Sequence, residues 1–498
     1  MFFKASLIHG YICQTLLFCA IVPLVKDKNG KLDNSNNYRG IGLSCLILKI
    51  FDWLILILYE NELTTDSNQF GFQEESSCAM LSWTVIEIVN SFSRAGSPVF
   101  ACLLDYRKAF DFVNHKRMFS NLLRRNVSPI FLRLMMIIYI HQKCYVKWNQ
   151  TRSYSFSVTN GTRQGAVFSP KGGFSTYLDD LMTNLRRSGQ GCFQGLHWYG
   201  ALAWADDLIL LSPSVQGLQS MVDMCQAHAE EADLVFSTDT DPTKSKTVCI
   251  AFNCLNKENL TDIILNGDKL PWKESVKHVG TILQSNGTME CDLRQKRAVY
   301  IQACMNLNQE FECLSGENQL RLLRLYNSHY TGSQCWDFTS KMFDQLMNSY
   351  NVNIRIIFNL PRRTHCWMME EISGGKHPKQ MIYSRFLKFI KTLEENKRES
   401  VKALFNTMKT DVRSLTGTNI RKIFLDTGIQ YEPITPTSHL LRNYRVYKMP
   451  KEDEWKLSLL VSLMEIRDDH WEVLFNDETD NSLEENDIES MIDEVCCN

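Results

Sequence analysis

Ala201-Leu202-Ala203-Trp204-Ala205-Asp206-Asp207-Leu208-Ile209-Leu210-Leu211 is the stretch whose reading decides the fold, two short apolar runs separated by a pair of acids. Apolar runs of this length, bounded by a polar break, read as strands buried in a sheet, so the stretch predicts a hairpin with Asp206 and Asp207 at its tip. Carboxylates held side by side repel one another unless a cation neutralises them, which makes the tip a candidate cation site. Asp-Asp also occurs at 179–180 and 468–469, where no such setting surrounds it and a solvated turn is the better reading.

Upstream, Gly96-Ser97-Pro98 introduces Val99-Phe100-Ala101-Cys102-Leu103-Leu104-Asp105, a continuous apolar run that ends in a third carboxylate. If that strand neighbours the hairpin, three acids meet at adjacent strand ends. Such a set suits Mg²⁺, which takes oxygen donors and keeps waters and substrate phosphates in its remaining positions. Two ions about 4 Å apart would serve phosphoryl transfer, activating a hydroxyl and stabilising the leaving oxygen. Phe110 falls close behind Asp105, and Gly165 permits close backbone approach after the Asn160-Gly161 turn. Lys26 and Arg39 bracket a Gly/Asn/Lys-rich loop over 26–40, where cations can meet a triphosphate. Each of these alone is weaker than its plain alternative, a loop glycine or a solvated charge.

The rest of the chain fits an α+β fold. Ile21–Val25 reads as a strand and an apolar helix is expected from near Ile41. Residues 116–141 read as helical with Pro129 as a break or a first-turn residue, and 144–159 as a pair of strands. Beyond about residue 290 the pattern turns helical and basic, as in Leu320, Leu323 and Leu325 with Arg321 and Arg324, then Phe386, Phe389 and Ile390 among lysines. No repeat is visible, which excludes a solenoid or propeller.

At 498 residues, 44% hydrophobic and 22% charged, the chain supports several packed subdomains and is not a disordered or collagenous sequence. Its formal charge of -2 conceals an asymmetry, because residues 468–498 hold 12 acids and no Lys or Arg. Residues 1–467 therefore carry a net of +10, a body suited to a polyanionic partner beside an acidic tail. The 17 cysteines include no C-x-x-C pair, so they read as reduced intracellular thiols rather than a zinc module or disulfide framework. The apolar stretch Tyr11–Val25 is too short to span a membrane, and Leu43–Leu58 is interrupted by Lys49 and Asp52. Both are expected as core elements, with a signal anchor the alternative for the first, and the protein is expected in the nucleus or cytoplasm, neither secreted nor membrane-bound.

In this order the segments are recognisable. Ile21-Val22-Pro23-Leu24-Val25-Lys26, Asn37-Tyr38-Arg39-Gly40-Ile41, Gln69-Phe70-Gly71-Phe72 and Leu104-Asp105-Tyr106-Arg107-Lys108-Ala109-Phe110-Asp111 come first. Asn160-Gly161-Thr162-Arg163-Gln164-Gly165 with Ser169-Pro170, Trp204-Ala205-Asp206-Asp207, Lys244-Ser245-Lys246 and Lys277-His278-Val279-Gly280 follow. The chain resembles the reverse transcriptases of non-LTR (LINE-like) retrotransposons, most strongly over about residues 15–300. Tyr326–Ser333 is similar to the thumb of one branch of these elements.

The resemblance implies a right-hand polymerase: fingers over 1–98, truncated at the N-terminus, and a palm over 99–255. The end of the palm, the primer grip and the thumb fall in 256–335, a basic helical region in 336–467 and a mobile acidic tail in 468–498. It implies an RNA-directed DNA polymerase acting on an RNA template, a DNA primer and dNTPs with two Mg²⁺ ions, or Mn²⁺ in their place. Asp105, Asp206 and Asp207 would be the metal ligands, and Lys244 the lysine that protonates departing pyrophosphate. Phe110 would be the gate against a ribose 2′-hydroxyl. Gln164 and Gly165 would line the nucleotide, Lys26 and Arg39 would hold its triphosphate, and His278, Val279 and Gly280 would form the primer grip. The sequence departs from the family at Trp204, where Tyr or Phe is usual, and at Lys171-Gly172-Gly173, one residue longer than in many relatives and expected to distort the following helix. Relatives also carry an upstream endonuclease, here expected from a separate chain, and a cysteine-rich knuckle. The alternative reading is a decayed or domesticated remnant that binds nucleic acid without polymerising; an unrelated Mg²⁺ phosphotransferase explains the acids but not the ordered segments.

Overall fold

The computed structural model describes residues 2–28, 30–163, 165–239, 241, 244–255, 260–326, 330–372 and 377–427. Gln164, the expected acidic tail 468–498 and residues 428–467 of the expected helical region lie outside the described residues. The chain forms two compact units, residues 1–279 with 284–287 and residues 280–283 with 288 onward.

In the first unit the principal elements are β1 (Phe18–Val25), β2 (Tyr38–Leu43), α1 (Leu46–Leu58), α2 (Cys78–Arg94), β3 (Val99–Leu104), α3 (His115–Arg124), α4 (Pro129–His141) and β4 (Lys143–Trp148). They are followed by α5 (Thr176–Arg187), β5 (Ala201–Trp204), β6 (Asp207–Ser212), α6 (Val215–Glu231), β7 (Val248–Phe252) and β8 (Ser275–His278). A four-stranded sheet in the order β7-β3-β6-β5 is antiparallel throughout. All residues of β3 are buried, as a continuous apolar run requires. Phe100, Cys102 and Leu104 share one core with Leu208 and Leu210 of β6 and with Leu218, Met221 and Val222 of α6. Each fully buried leucine there contributes about 1.5–3 kcal/mol relative to exposure. Helix α2 also packs on β3 and β5, buried from Met80 to Val89, and Ser77 caps it by accepting from the Met80 N–H.

A second sheet begins with β2 and β1, antiparallel, and continues through β4, which runs parallel to β1 with Phe18 opposite Lys143. Thr151–Arg152 and Phe156–Ser157 pair with β4, so the strands expected over 144–159 form, and they belong to the sheet of β1. The helix expected from near Ile41 starts at Leu46 instead. Tyr38–Leu43 gives its backbone hydrogen bonds to β1, and the extended Cys45 separates strand from helix. Of the two readings of Pro129 the structure has the first-turn residue, with α4 starting there.

Ser169–Ser175 is a π-helical segment that runs directly into α5. Lys171-Gly172-Gly173 lie within this wider turn, and the twelve-residue α5 follows without the distortion expected for it. Gly172 is required by packing, since a Cβ would lie 2.2 Å from the Phe168 ring. Among the described residues no helix is long and apolar enough to cross a membrane, and Tyr11–Val25 is largely a short 3₁₀ turn followed by β1.

The described part of the second unit is helical from Glu290–Glu310 to Leu415–Thr427. Trp336 is fully buried and donates its indole N–H to Asp292 Oδ2 at 2.8 Å. Phe338, Phe343, Tyr383 and Phe386 form the aromatic core beside it. Leu320, Leu323, Phe386, Phe389 and Ile390 are all buried, as their spacing predicts.

Candidate active site

Asp105 leaves β3 at the centre of the four-stranded sheet. Its N–H donates to Thr247 Oγ1 at 3.3 Å and its carbonyl accepts from the Ser237 N–H at 2.7 Å, so the chain on either side of its side chain is fixed. Tyr106 then stacks on Phe236 with centroids 4.4 Å apart. In the neighbouring hairpin Asp207 pairs with Trp204, which leaves Ala205 and Asp206 as the two-residue loop. The tip is therefore not the two acids side by side. Asp206 is in the loop and Asp207 already begins β6.

That one-residue difference sends the acids to different places. Asp105 and Asp206 line a cavity of about 750 Å³ together with Lys26, Arg39, Phe110 and Lys246. Asp105 and Asp207 line a second cavity of about 460 Å³ with Lys246, Lys273, Lys277, His278 and Val279. Asp105 borders both. Among the described residues no group of three His, Cys, Asp or Glu side chains converges closely enough to hold a metal ion as placed. The charge pattern nevertheless asks for a cation. Burial is the main cause raising the Asp206 carboxyl above its usual range, with Asp105 adding repulsion and Arg39 opposing it. Asp207 is pushed up to about 6 by burial, then by Asp206 and Asp105. Hard oxygen donors that repel one another in this way fit a divalent ion such as Mg²⁺.

The cations are positioned by one asparagine. Asn37 accepts from the Asp27 N–H at 2.9 Å and donates to the Asp27 carbonyl at 2.8 Å, while the Lys26 N–H bonds the Asn37 carbonyl at 2.8 Å. This closes the 26–37 loop and brings Lys26, at the end of β1, to the same cavity as Arg39 of β2. Phe110 lies in a short helix, Ala109–Phe112, entered through Lys108 at φ 52°. Its ring stacks on Phe174 at 4.4 Å and stands perpendicular to the Phe72 ring at 6.3 Å, leaving the ring braced within the cavity lining.

The family described as reverse transcriptase (RNA-dependent DNA polymerase) matches residues 25–283, a span containing both cavities. The chain belongs to that family. Two curated relatives are non-LTR element proteins. One is the retrovirus-related Pol polyprotein from type-1 retrotransposable element R2 of Nasonia vitripennis, 25% identical over 233 residues, 47% of this chain and 22% of that one. The other is the retrovirus-related Pol polyprotein from type-2 retrotransposable element R2DM of Drosophila melanogaster, 24% identical over 187 residues, 38% of this chain and 18% of that one. The chain thus spans about a fifth of the length of the curated relatives it matches. Among solved structures, a telomerase from Candida albicans gives a TM-score of 0.38 at 13% identity, covering 79% of this chain and 65% of that one.

Within this reverse transcriptase fold, not every residue expected at the site is brought there. Lys244 is exposed and pairs with Asp241 at 3.1 Å, whereas Lys246 lines both cavities with its Nζ 4.0 Å from Asp105 Oδ2. Choosing between the two lysines depends on Thr247, whose hydroxyl is tied to Asp105 and sets its immediate neighbour beside the acid. Gly165 lines neither carboxylate cavity. It has φ +81° and presses on β2, where a Cβ would fall 1.9 Å from the Gly42 carbonyl oxygen. Arg163, two residues earlier, is buried and paired with Asp52 of α1 at 3.4 Å, which explains an acid inside that apolar helix. His278 is buried in the lining of the smaller cavity with its basicity lowered to about 4 by burial, while Val279 and Gly280 follow at φ 38° and 86°. The lysines at 273 and 277, which the sequence reading did not single out as phosphate contacts, line that cavity with it.

Proposed function

We propose that this chain is an RNA-directed DNA polymerase of a non-LTR retrotransposon, extending a DNA primer on an RNA template. The observation that carries the reading is Asp105 shared between two cavities, one with Asp206 and the nucleotide-side cations, the other with Asp207 and the lysines near His278. The larger cavity takes the incoming dNTP. Lys26 and Arg39 bind its triphosphate, and Phe110 presents a ring edge to the sugar, where a 2′-hydroxyl would collide. The smaller cavity takes the primer end, with Lys273 and Lys277 on its phosphates and His278 beneath. Asp105, Asp206 and Asp207 would hold two Mg²⁺ ions, with Mn²⁺ as a substitute, which supply activation of the primer hydroxyl and charge stabilisation on the leaving oxygen. Bond formation joins the primer 3′-oxygen, which gives its proton to solvent, to the α-phosphorus as the bond from that phosphorus to the pyrophosphate oxygen breaks. The Lys246 ammonium donates a proton to that leaving group, the part first assigned to Lys244.

The test is primer extension on poly(rA) with oligo(dT), for the wild type and for Asp206→Asn/Asp207→Asn, with Mg²⁺ or with chelator. Extension by the wild type alone and only with the metal is expected. Equal extension by the double variant would remove these acids from the chemistry.

A further inference from the structure

The loop that carries Asp206 has an unfavourable backbone. Ala205 sits at φ 57°, a left-handed conformation that glycine tolerates and a side chain with a Cβ does not favour. A two-residue hairpin loop favours a positive φ at its first residue, but glycine is the usual occupant there, so with alanine in that place contacts from outside the hairpin add to the hold of the strand pairs.

The holder is the segment 68–71, far from the hairpin in sequence. It runs along the outer edge of β5, with the Phe70 N–H donating to the Ala203 carbonyl at 2.7 Å and the Ala203 N–H to the Asn68 carbonyl at 2.9 Å. Gln69 is buried, and its side-chain amide engages both backbone groups of Ala205. The Ala205 N–H donates to Gln69 Oε1 at 3.0 Å, and Gln69 Nε2 donates to the Ala205 carbonyl at 3.3 Å. The same Oε1 accepts from the Gly71 N–H at 2.8 Å, which aims the amide. Gly71 lies so close that a Cβ there would come within 2.2 Å of the Ala205 nitrogen.

We propose that Gln69 is a positioning residue for phosphoryl transfer: by clamping Ala205 it fixes the two-residue loop from which Asp206 and Asp207 diverge into their separate cavities. The proposal rests on the polymerase reading for its chemistry and on the hydrogen bonds alone for its mechanics. A buried amide meeting a strained residue through donor and acceptor together is a specific brace. Without it the loop relaxes, and a shift of the acids of about 1 Å is enough to cost roughly 100-fold in rate.

The experiment compares wild type, Gln69→Met, Gln69→Glu and Gly71→Ala by amide hydrogen exchange across residues 201–208 and by steady-state primer extension. Gln69→Met keeps the volume and removes the polar contacts. It is expected to speed exchange at Ala205 and to lower kcat roughly 10–100-fold, with KM for dNTP changed by less than about threefold. Gln69→Glu still accepts from both N–H groups but loses the donor to the Ala205 carbonyl, so protection at Ala205 should fall between wild type and Gln69→Met, which a loss of packing alone would not predict. Gly71→Ala keeps Gln69 but pushes on the loop, and should resemble Gln69→Met. Wild-type exchange at Ala205 in Gln69→Met overturns the clamp. Faster exchange with an unchanged kcat overturns its part in the reaction. A wild type that binds template–primer without extending it would sink the polymerase reading only, and the exchange arm would still decide the clamp.

Discussion

Strand β3 is buried along its whole length, whereas β1 is exposed at Phe18, Leu24 and Val25 and fully buried only at Cys19. The two sheets carry opposite charges to the larger cavity. The first delivers Asp105 and, through its hairpin, Asp206, while Asp207 goes to the smaller cavity; the second delivers Lys26 and Arg39. On the proposed reading, the acids that would share ions are set by a close-packed core, where a small displacement disturbs many neighbours. The cations that would meet a flexible triphosphate are set by a more exposed sheet and a loop tied by Asn37, where a small displacement is tolerated. Position is held tightly where geometry decides the chemistry and loosely where charge alone suffices.

The largest expected effect is on the buried side. Asp206→Asn should lower primer extension on the order of 10²–10³-fold, with fluorescence anisotropy showing template–primer affinity unchanged. Next comes the core itself: Leu210→Ala in β6 should cost about 3 kcal/mol in urea unfolding, while Leu24→Ala in β1 should stay within about 0.5 kcal/mol. Equal losses would erase the contrast between the sheets. On the exposed side, Arg39→Ala should raise KM for dNTP about tenfold and change kcat less than about twofold, and a collapse of kcat instead would show that Arg39 is held as strictly as the acids. The smallest effect concerns charge. Because the folded-state pKa of Asp207 is raised to about 6, the native state holds its proton more tightly than the unfolded chain, and stability falls as pH rises from about 4 to 6. Asp207→Asn should therefore gain about 1 kcal/mol at pH 7 without divalent ions, after allowing for partial solvent screening, and nothing near pH 4. Thermal unfolding across that range reads the difference.

What was legible in the sequence followed from local pattern. The unbroken run Val99–Leu104, the apolar arms of the hairpin and the helix start at Pro129 each announce themselves within a few residues. What was not legible depends on register or on distance. Nothing local tells that Asp207 belongs to a strand and Asp206 to a loop, because the pairing of Trp204 decides it. Nothing near Ile41 separates strand from helix, because an apolar run continues across the boundary and only pairing with β1 ends the strand. Lys246 is distinguished from Lys244 by a hydrogen bond from Asp105 to Thr247, and Gln69 by contacts with Ala205, both across more than a hundred residues.

The parallel pairing of β1 with β4 sets an order of events during synthesis. Phe18 finds its partner Lys143 only after about 125 further residues have been made. At roughly 5–20 residues per second, β1 waits several seconds or more on the ribosome, with β2 as its only strand neighbour. An antiparallel pair of two strands is marginal in water, so the nascent β1–β2 pair, with Leu24 and Leu43 exposed, is expected to stay open until β4 arrives. Limited proteolysis of nascent chains arrested before and after residue 148 would show it, as protection of β1 that arrives only with β4.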